Sequence, residues 1–195
     1  TGTNGKTTIT FLLEYLLKKS GKKTALFGTL LNRWPGFSEV ALHTTDFADK
    51  LQKKLNAAVE AESEFAILEV SSHSIAQKRI SGCEFEAAIF TNLTQDHLDY
   101  HSDMESYFQT KRKLFFPPYL IEKDGISVLN HDDPWISKLS SDLEKRSSLV
   151  STKITESEFK NHDFFFVTDK KFTENGSTCI FHTPKEKIQL FVPLV

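Results

Sequence analysis

An α/β fold is what these 195 residues predict: a mostly parallel sheet flanked by helices, with a small antiparallel β-subdomain at the C-terminal end. Three observations carry that reading. Strand-like and helix-like stretches alternate over the N-terminal three quarters of the chain. The strand-like stretches are apolar along their length rather than alternating, as in a sheet covered on both faces. After about Leu149 the pattern changes to "DFFFVTD", "STCIFHT" and "KIQLFVPLV", separated by turn-like "TENGS" and "TPKEK", which read as antiparallel hairpins. The division is therefore a core over 1–148 and an extension over 149–195.

The elements follow in order. "TTITFLLEYLLKKS" places Ile9, Leu12, Leu13, Leu16 and Leu17 at helical spacing, ends on lysines and is stopped by Gly21. "TALFGT" is a short strand. "LLNRWPGFSEVALHTT" reads as a long loop with Pro35 and Gly36 near its middle. "DFADKLQKKLNAAVEA" is an amphipathic helix with Asp46 early in it. "FAILEV" and "EAAIFTNL" are buried strands. "DMESYFQTKRKLFF" is a helix with Ser102 as N-cap and Pro117 as stop, and "GISVLN" is a further strand.

Bulk properties narrow the function classes. Charge nearly balances, at −2, with no long basic run, which argues against a dedicated nucleic-acid binder. No apolar run reaches the ~18 residues of a membrane span. Cys83 and Cys179 stand far apart in no metal-type pattern, so each reads as a small core residue of a reduced chain.

The chemistry begins at the first residues. Gly2, Thr3, Asn4, Gly5, Lys6, Thr7 and Thr8 form the end of a phosphate-binding loop running directly into a helix. Such a loop wraps phosphates with backbone N–H groups, reaches the outer phosphates with its lysine and binds Mg²⁺ with its threonine. The alternative is a chance glycine turn capping a helix. "FAILEV" ends in Glu69, at the strand end that lines the ligand crevice of an open parallel sheet; there it either helps hold Mg²⁺ or is an exposed strand-end carboxylate. "TNLTQDHLDYH" opens on the same crevice with Asn92, Asp96, His97, Asp99 and His101. His97 and His101 could share a helical face as zinc ligands, a single histidine could meet Mg²⁺ or nucleotide, or the run could be polar turns and caps. In the last helix the apolar stripe of Met104, Tyr107, Phe108, Leu114 and Phe115 is interrupted by Lys111. That lysine either snorkels or is partly buried with a lowered pKa, in which case its amine could take up CO₂ as a carbamate.

The segments "GTNGKTT", "EVSSHSIAQKRISGCEFEAAIFTNLTQDHLDYH" and "YFQTKRKLF" closely resemble the central domain of the Mur ligases, over essentially the whole chain. The resemblance implies a cytoplasmic bacterial enzyme that uses ATP and Mg²⁺ to join an amino acid to UDP-N-acetylmuramoyl-L-alanyl-D-glutamate through an acyl phosphate. It implies no nucleic-acid or membrane partner and a monomer. Gly2 to Thr8 would cradle ATP, with Lys6 on the outer phosphates. Thr7, Glu69 and His97 would serve Mg²⁺. Lys111 stands where the family carries a carbamylated lysine, N6-carboxylysine. Thr44, Thr45, Ser71, Gln77 and Arg79 would contact the UDP-linked substrate. Asp46 follows the threonine pair where proline is usual, and His43 stands where asparagine is common. The resemblance also makes the chain an excised central domain, inactive alone, without its N-terminal uridine-nucleotide-binding and C-terminal ligase domains. A folylpolyglutamate or cyanophycin synthetase, an unrelated P-loop kinase or GTPase, and a non-catalytic nucleotide-binding module are the competing classes. The guanine-reading Asn-Lys-x-Asp motif is absent from the sequence.

Overall fold

The computed structural model describes residues 1–121, 125–143, 147–153 and 163–193. Among the described residues the strands form two sheets. The first has the order β3-β2-β1-β4, where β1 (Thr24–Phe27) and β4 (Phe65–Leu68) run parallel. The second has the order β10-β9-β8-β7-β6-β5. Within it β5 (Ala87–Phe90), β6 (Ile126–Asn130), β7 (Ser147–Ser151) and β8 (Asp163–Thr173) are successively parallel. The parallel α/β class is therefore as the continuous apolar strands predict.

Thr1 sits between the two sheets. Its backbone N donates to Ile89 O at 2.7 Å and its O accepts from Thr91 N at 3.1 Å, while its hydroxyl donates to Val70 O at 2.7 Å. A cavity of about 510 Å³ continues from Thr1 between the facing edges of β4 and β5, with Ile9, Leu13 and Leu17 in its wall. Those three side chains are one i, i+4 row of α1 (Lys6–Lys19). The other predicted apolar positions on that helix, Leu12 and Leu16, are exposed. A second row, Thr10 and Glu14, is buried instead. Glu14 is tolerated there because Arg33 grips its carboxylate with two nitrogens and Lys18 reaches it at 2.7 Å.

The stretch read as a long loop is a β-hairpin. β2 (Leu31–Trp34) and β3 (Phe37–Val40) pair antiparallel with Trp34 opposite Phe37, and β2 pairs with β1. Pro35-Gly36 is the two-residue turn, with Gly36 at φ 80°, so the residues that seemed to mark a loop instead close a hairpin. α2 (Ala48–Glu60) begins after Asp46, which lies outside the helix, buried and paired with Lys54. α4 (Met104–Arg112) is capped by Asp103, whose carboxylate accepts from Ser106 N at 2.7 Å, and not by Ser102. A 3₁₀ turn over Lys113–Phe115 follows, before Pro117. The short α3 (Ser72–Ala76) and α5 (Pro134–Leu143) complete the helices among the described residues.

The three C-terminal strands are successively antiparallel, as predicted: β8 pairs with β9 (Gly176–His182) and β9 with β10 (Lys187–Val192). They extend the same sheet through the parallel pairing of β7 with β8. The 148/149 division falls inside β7. Leu194 and Val195, the end of the third predicted strand, lie outside the described residues. The main core gathers on the second sheet around Phe90, Tyr107, Phe115, Leu129, Ile136 and Leu139. Both cysteines are free and only partly buried, with Cys83 packed at the margin of that core.

Candidate functional site

The opening loop is built by two glycines. Gly5 takes a left-handed φ of 83° as the N-cap of α1, a conformation that side chains other than glycine resist. Gly2 has φ 138° and its backbone approaches β5 so closely that an added Cβ would stand 1.9 Å from Thr91 Oγ1. The α1 amides therefore point, with the positive end of the helix dipole, into the loop. Lys6 folds back on that loop, donating to Gly2 O at 3.0 Å and Thr3 O at 2.9 Å. Burial lowers its pKa, against the opposing charges of Glu69 and Asp96. Asn4 and Thr8 are exposed, and Thr3 is buried.

Glu69 follows β4 directly and is 1% exposed. This excludes the exposed strand-end reading. Its carboxylate accepts from Thr7 Oγ1 at 2.9 Å, from Thr29 Oγ1 at 2.9 Å and from Thr29 N at 3.1 Å. Thr29 Oγ1 in turn accepts from the Thr44 hydroxyl, 3.1 Å away, so one hydroxyl bridges the carboxylate to the threonine pair. Sequence reasoning missed Thr29 because its only signal is its place just past a strand end. The neighbouring Gly28 is needed there, since a Cβ would come within 2.3 Å of Glu69 Oε1.

Lys111 is 1% exposed, which excludes snorkelling. Its Nζ donates to Gly2 O at 3.1 Å, is 3.5 Å from Thr1 Oγ1 and lies over the Tyr107 ring, 4.7 Å from its centroid. Burial, helped by the charge of Lys6, lowers its pKa to about 7, so a large fraction of the amine is neutral near pH 7. Tyr107 is itself fully buried, with its hydroxyl 3.3 Å from Thr3 Oγ1.

His97 has a left-handed φ of 55° and its ring stands edge-on to those of His73 and Tyr107. Residues 98–103 form turns and bends rather than a helix, so His97 and His101 share no helical face. His101 is buried and its Nε2 is 2.9 Å from Ser72 Oγ. Among the described residues no group of three or more His, Cys, Asp or Glu is gathered in metal-binding geometry. Asn92 is drawn into the loop itself, accepting from Asn4 N at 2.9 Å and donating to Asn4 O at 3.1 Å.

The five residues expected at the UDP-linked substrate divide by availability. Thr45 is buried, donating to Glu69 O at 2.7 Å and accepting from Ser71 N at 3.3 Å, so its hydroxyl is taken up by the fold. Ser71 caps α3, accepting from Ser74 N. Thr44 is half-buried beside Thr29. Arg79 donates twice to exposed Gln77 and once to Thr45 O, and lies over the Phe47 ring at 4.3 Å. His43 reaches only the edge of Phe47.

By fold and by loop, this is a P-loop α/β domain. The chain belongs to the Mur ligase middle domain family, which it matches over residues 1–195. It is 92% identical over its whole length to the UDP-N-acetylmuramoyl-L-alanyl-D-glutamate--2,6-diaminopimelate ligase of Prochlorococcus marinus subsp. pastoris, covering 38% of that protein. To the ligase of the same name from Thermosynechococcus vestitus it is 48% identical, covering 100% of this chain and 37% of the relative. A solved structure of a ligase of that name superposes with a TM-score of 0.84 at 29% identity, covering 100% of this chain and 38% of the other. The chain thus spans between a third and two fifths of the length of these relatives.

Proposed function

We propose that residues 1–195 are the nucleotide-binding part of an ATP-dependent amide-bond ligase of peptidoglycan precursor synthesis. The substrates are ATP, UDP-N-acetylmuramoyl-L-alanyl-D-glutamate and an amino acid, of which meso-diaminopimelate is the favoured one. The enzyme works in the bacterial cytoplasm as a monomer. One observation carries the reading: the loop threonine Thr7 meets the buried Glu69 carboxylate, while a buried lysine, Lys111, touches the carbonyl of loop residue Gly2.

The residues present suit Mg²⁺. A hydroxyl and a carboxylate converge as hard oxygen donors, in a space where a side chain at position 28 would collide with Glu69. Thr7 and Glu69 would hold the ion, with His97 as a further ligand and Lys111, once carbamylated, supplying an anionic oxygen. Bound there, Mg²⁺ offsets the negative charge shared by the phosphates and the attacking carboxylate.

The chain's own part is positioning and electrostatics. The loop amides of residues 2–8 hold the phosphates. Lys6 leaves the Gly2 and Thr3 carbonyls to pair with the outer phosphates as the transferred group takes up charge. The substrate carboxylate attacks the γ-phosphorus, ADP departs and an acyl phosphate remains. The amino-acid amine then adds to the acyl carbon, and phosphate leaves. Thr44, Thr45, Ser71, Gln77 and Arg79 orient the UDP-linked substrate, Thr45 and Ser71 chiefly by shaping the backbone that meets it.

The test is phosphate release by the full-length protein with ATP, Mg²⁺ and the UDP-linked dipeptide, offering meso-diaminopimelate or lysine. Release that requires the dipeptide and one acceptor is expected. ATP hydrolysis indifferent to the dipeptide would leave the nucleotide site and remove the ligase.

A further inference from the structure

The phosphate loop is braced from one side by a turn that has its own support. β5 and β6 run parallel with Phe90 opposite Leu129, so the turns after them, 91–94 and 130–133, leave the sheet as neighbours. The first turn grips the loop along its length. Besides the paired bonds between Asn92 and Asn4, Thr3 N donates to Asn92 O at 2.9 Å and Thr91 Oγ1 to Asn4 O at 2.6 Å. Thr94 N donates to Thr3 Oγ1 at 3.0 Å.

The second turn holds the first. Asp133 is buried, and both of its carboxylate oxygens are engaged by backbone donors. Oδ2 accepts from Leu93 N at 2.7 Å and Oδ1 from Trp135 N, in the first turn of α5, at 2.9 Å. Asn130 Nδ2 donates to Thr91 O at 2.8 Å. Leu93 is itself buried in the core, so the 91–94 turn is pinned at Leu93 by packing and by Asp133 together. A phosphate loop works by aiming several N–H groups at one point, and a small tilt spoils the convergence.

We propose that Asp133, with Asn130, is a positioning residue for the nucleotide site, acting through the 91–94 turn on loop residues 3 and 4. The proposal rests on the ATP-dependent reading given above. Neither side chain bonds to the loop; each acts one turn away.

The chemistry of the contact supplies the test. Asn in place of Asp133 keeps the shape but turns an NH₂ group toward either Leu93 N–H or Trp135 N–H, so one contact must break. In the full-length protein, Asp133→Asn should raise the ATP KM and the calorimetric ADP dissociation constant about five- to tenfold, the loss of roughly one buried hydrogen bond. Asn130→Ala should raise both about two- to threefold. The KM for the UDP-linked dipeptide should not move. Asp132→Ala is the control for general weakening of the same strand end. The Asp132 carboxylate accepts from Ser151 and Thr152 and makes none of these contacts, and its backbone N, which donates to Asn130 Oδ1 at 3.1 Å, is kept in the variant, so its loss should lower the melting temperature and leave the ATP KM unchanged.

Unchanged ADP affinity in Asp133→Asn would overturn the positioning role. So would a rise shared by Asp132→Ala or by the dipeptide KM. If Asp133→Asn does not fold, Asn130→Ala decides by the same measurement. A parent protein that binds no ADP would overturn the ATP-dependent reading itself, and the positioning role with it.

Discussion

Glu69 leaves no room for a side chain at position 28: a Cβ on Gly28 would stand 2.3 Å from its Oε1 and 3.0 Å from its carboxyl carbon. Gly28 follows β1 as Glu69 follows β4, so the parallel pairing of these two strands presses a bare backbone against the carboxylate. Gly28→Ala should therefore push the carboxylate off Thr7 and Thr29. A displacement of this kind in a charge-positioning site lowers kcat/KM about a hundredfold. Steady-state kinetics at saturating Mg²⁺ checks it, and activity within twofold of the parent would show that the carboxylate has freedom the packing denies.

Lys111→Ala removes the buried amine and, with it, any carbamate. Acyl-phosphate formation should fall by about a hundredfold or more, bicarbonate should not restore it, and acetate or formate should restore part of it by supplying the missing oxygen. Because the pKa is about 7, the neutral amine that reacts with CO₂ gains as pH rises through 7 and is lost in acid. Full activity of the variant at any bicarbonate level would defeat the carbamate.

Asp46 stands where the resemblance calls for proline, and the fold answers with a lysine. Lys54, one α2 residue, reaches Asp46 at 2.6 Å and also pairs with Glu39 of β3. Asp46→Ala leaves Lys54 only the half-exposed Glu39 and loosens the segment that carries Thr45. A stability loss of about 1–2 kcal/mol is expected, with a rise in the dipeptide KM and none in the ATP KM. An equal rise in both constants would mean the pair serves the fold alone.

Glu14 supplies an acid-side signature. Burial alone would raise its carboxyl, but hydrogen bonds from Arg33 and Lys18 bring it below the ordinary value of 4.5. A depressed carboxylate stabilises the fold fully above the unfolded value and loses that contribution as pH falls through the folded one. At neutral pH Glu14→Gln should therefore cost about 1–3 kcal/mol, nearly all through Arg33, since Lys18 is half exposed. Denaturant titrations from pH 7 downward should show the gap closing below 4.5. A gap constant with pH would assign the loss to packing.

What the sequence disclosed was what is local. Gly5-Lys6-Thr7 before a helix, a carboxylate closing an apolar strand and a lysine in the helical stripe each declare themselves within a few residues, and all three meet in the structure. The hairpin over 31–40 is hidden because Pro-Gly marks a long loop and a two-residue turn alike, and only the pairing of Trp34 with Phe37 decides between them. α3 has five residues, too few to show a helical period. Thr29 and Asp133 owe their roles to residues 40 positions away in the chain, Glu69 and Leu93, and no spacing rule reaches that far. The choice of Asp103 over Ser102 as cap is a one-residue matter that only the backbone decides.

The cavity between β4 and β5 has a practical outcome for handling residues 1–195 in isolation. Among the described residues β4 closes one end of the first sheet and β5 one end of the second, and apart from the contacts of Thr1 no described strand pairs their outer main-chain donors and acceptors. Apolar side chains of α1 wall the space between them. Open strand edges over an apolar wall invite any extended peptide, including another copy's unfolded segments. Preparations of the isolated segment should be prone to strand-exchanged oligomers, and a short β-forming peptide that fits the gap should act on them as a solubiliser.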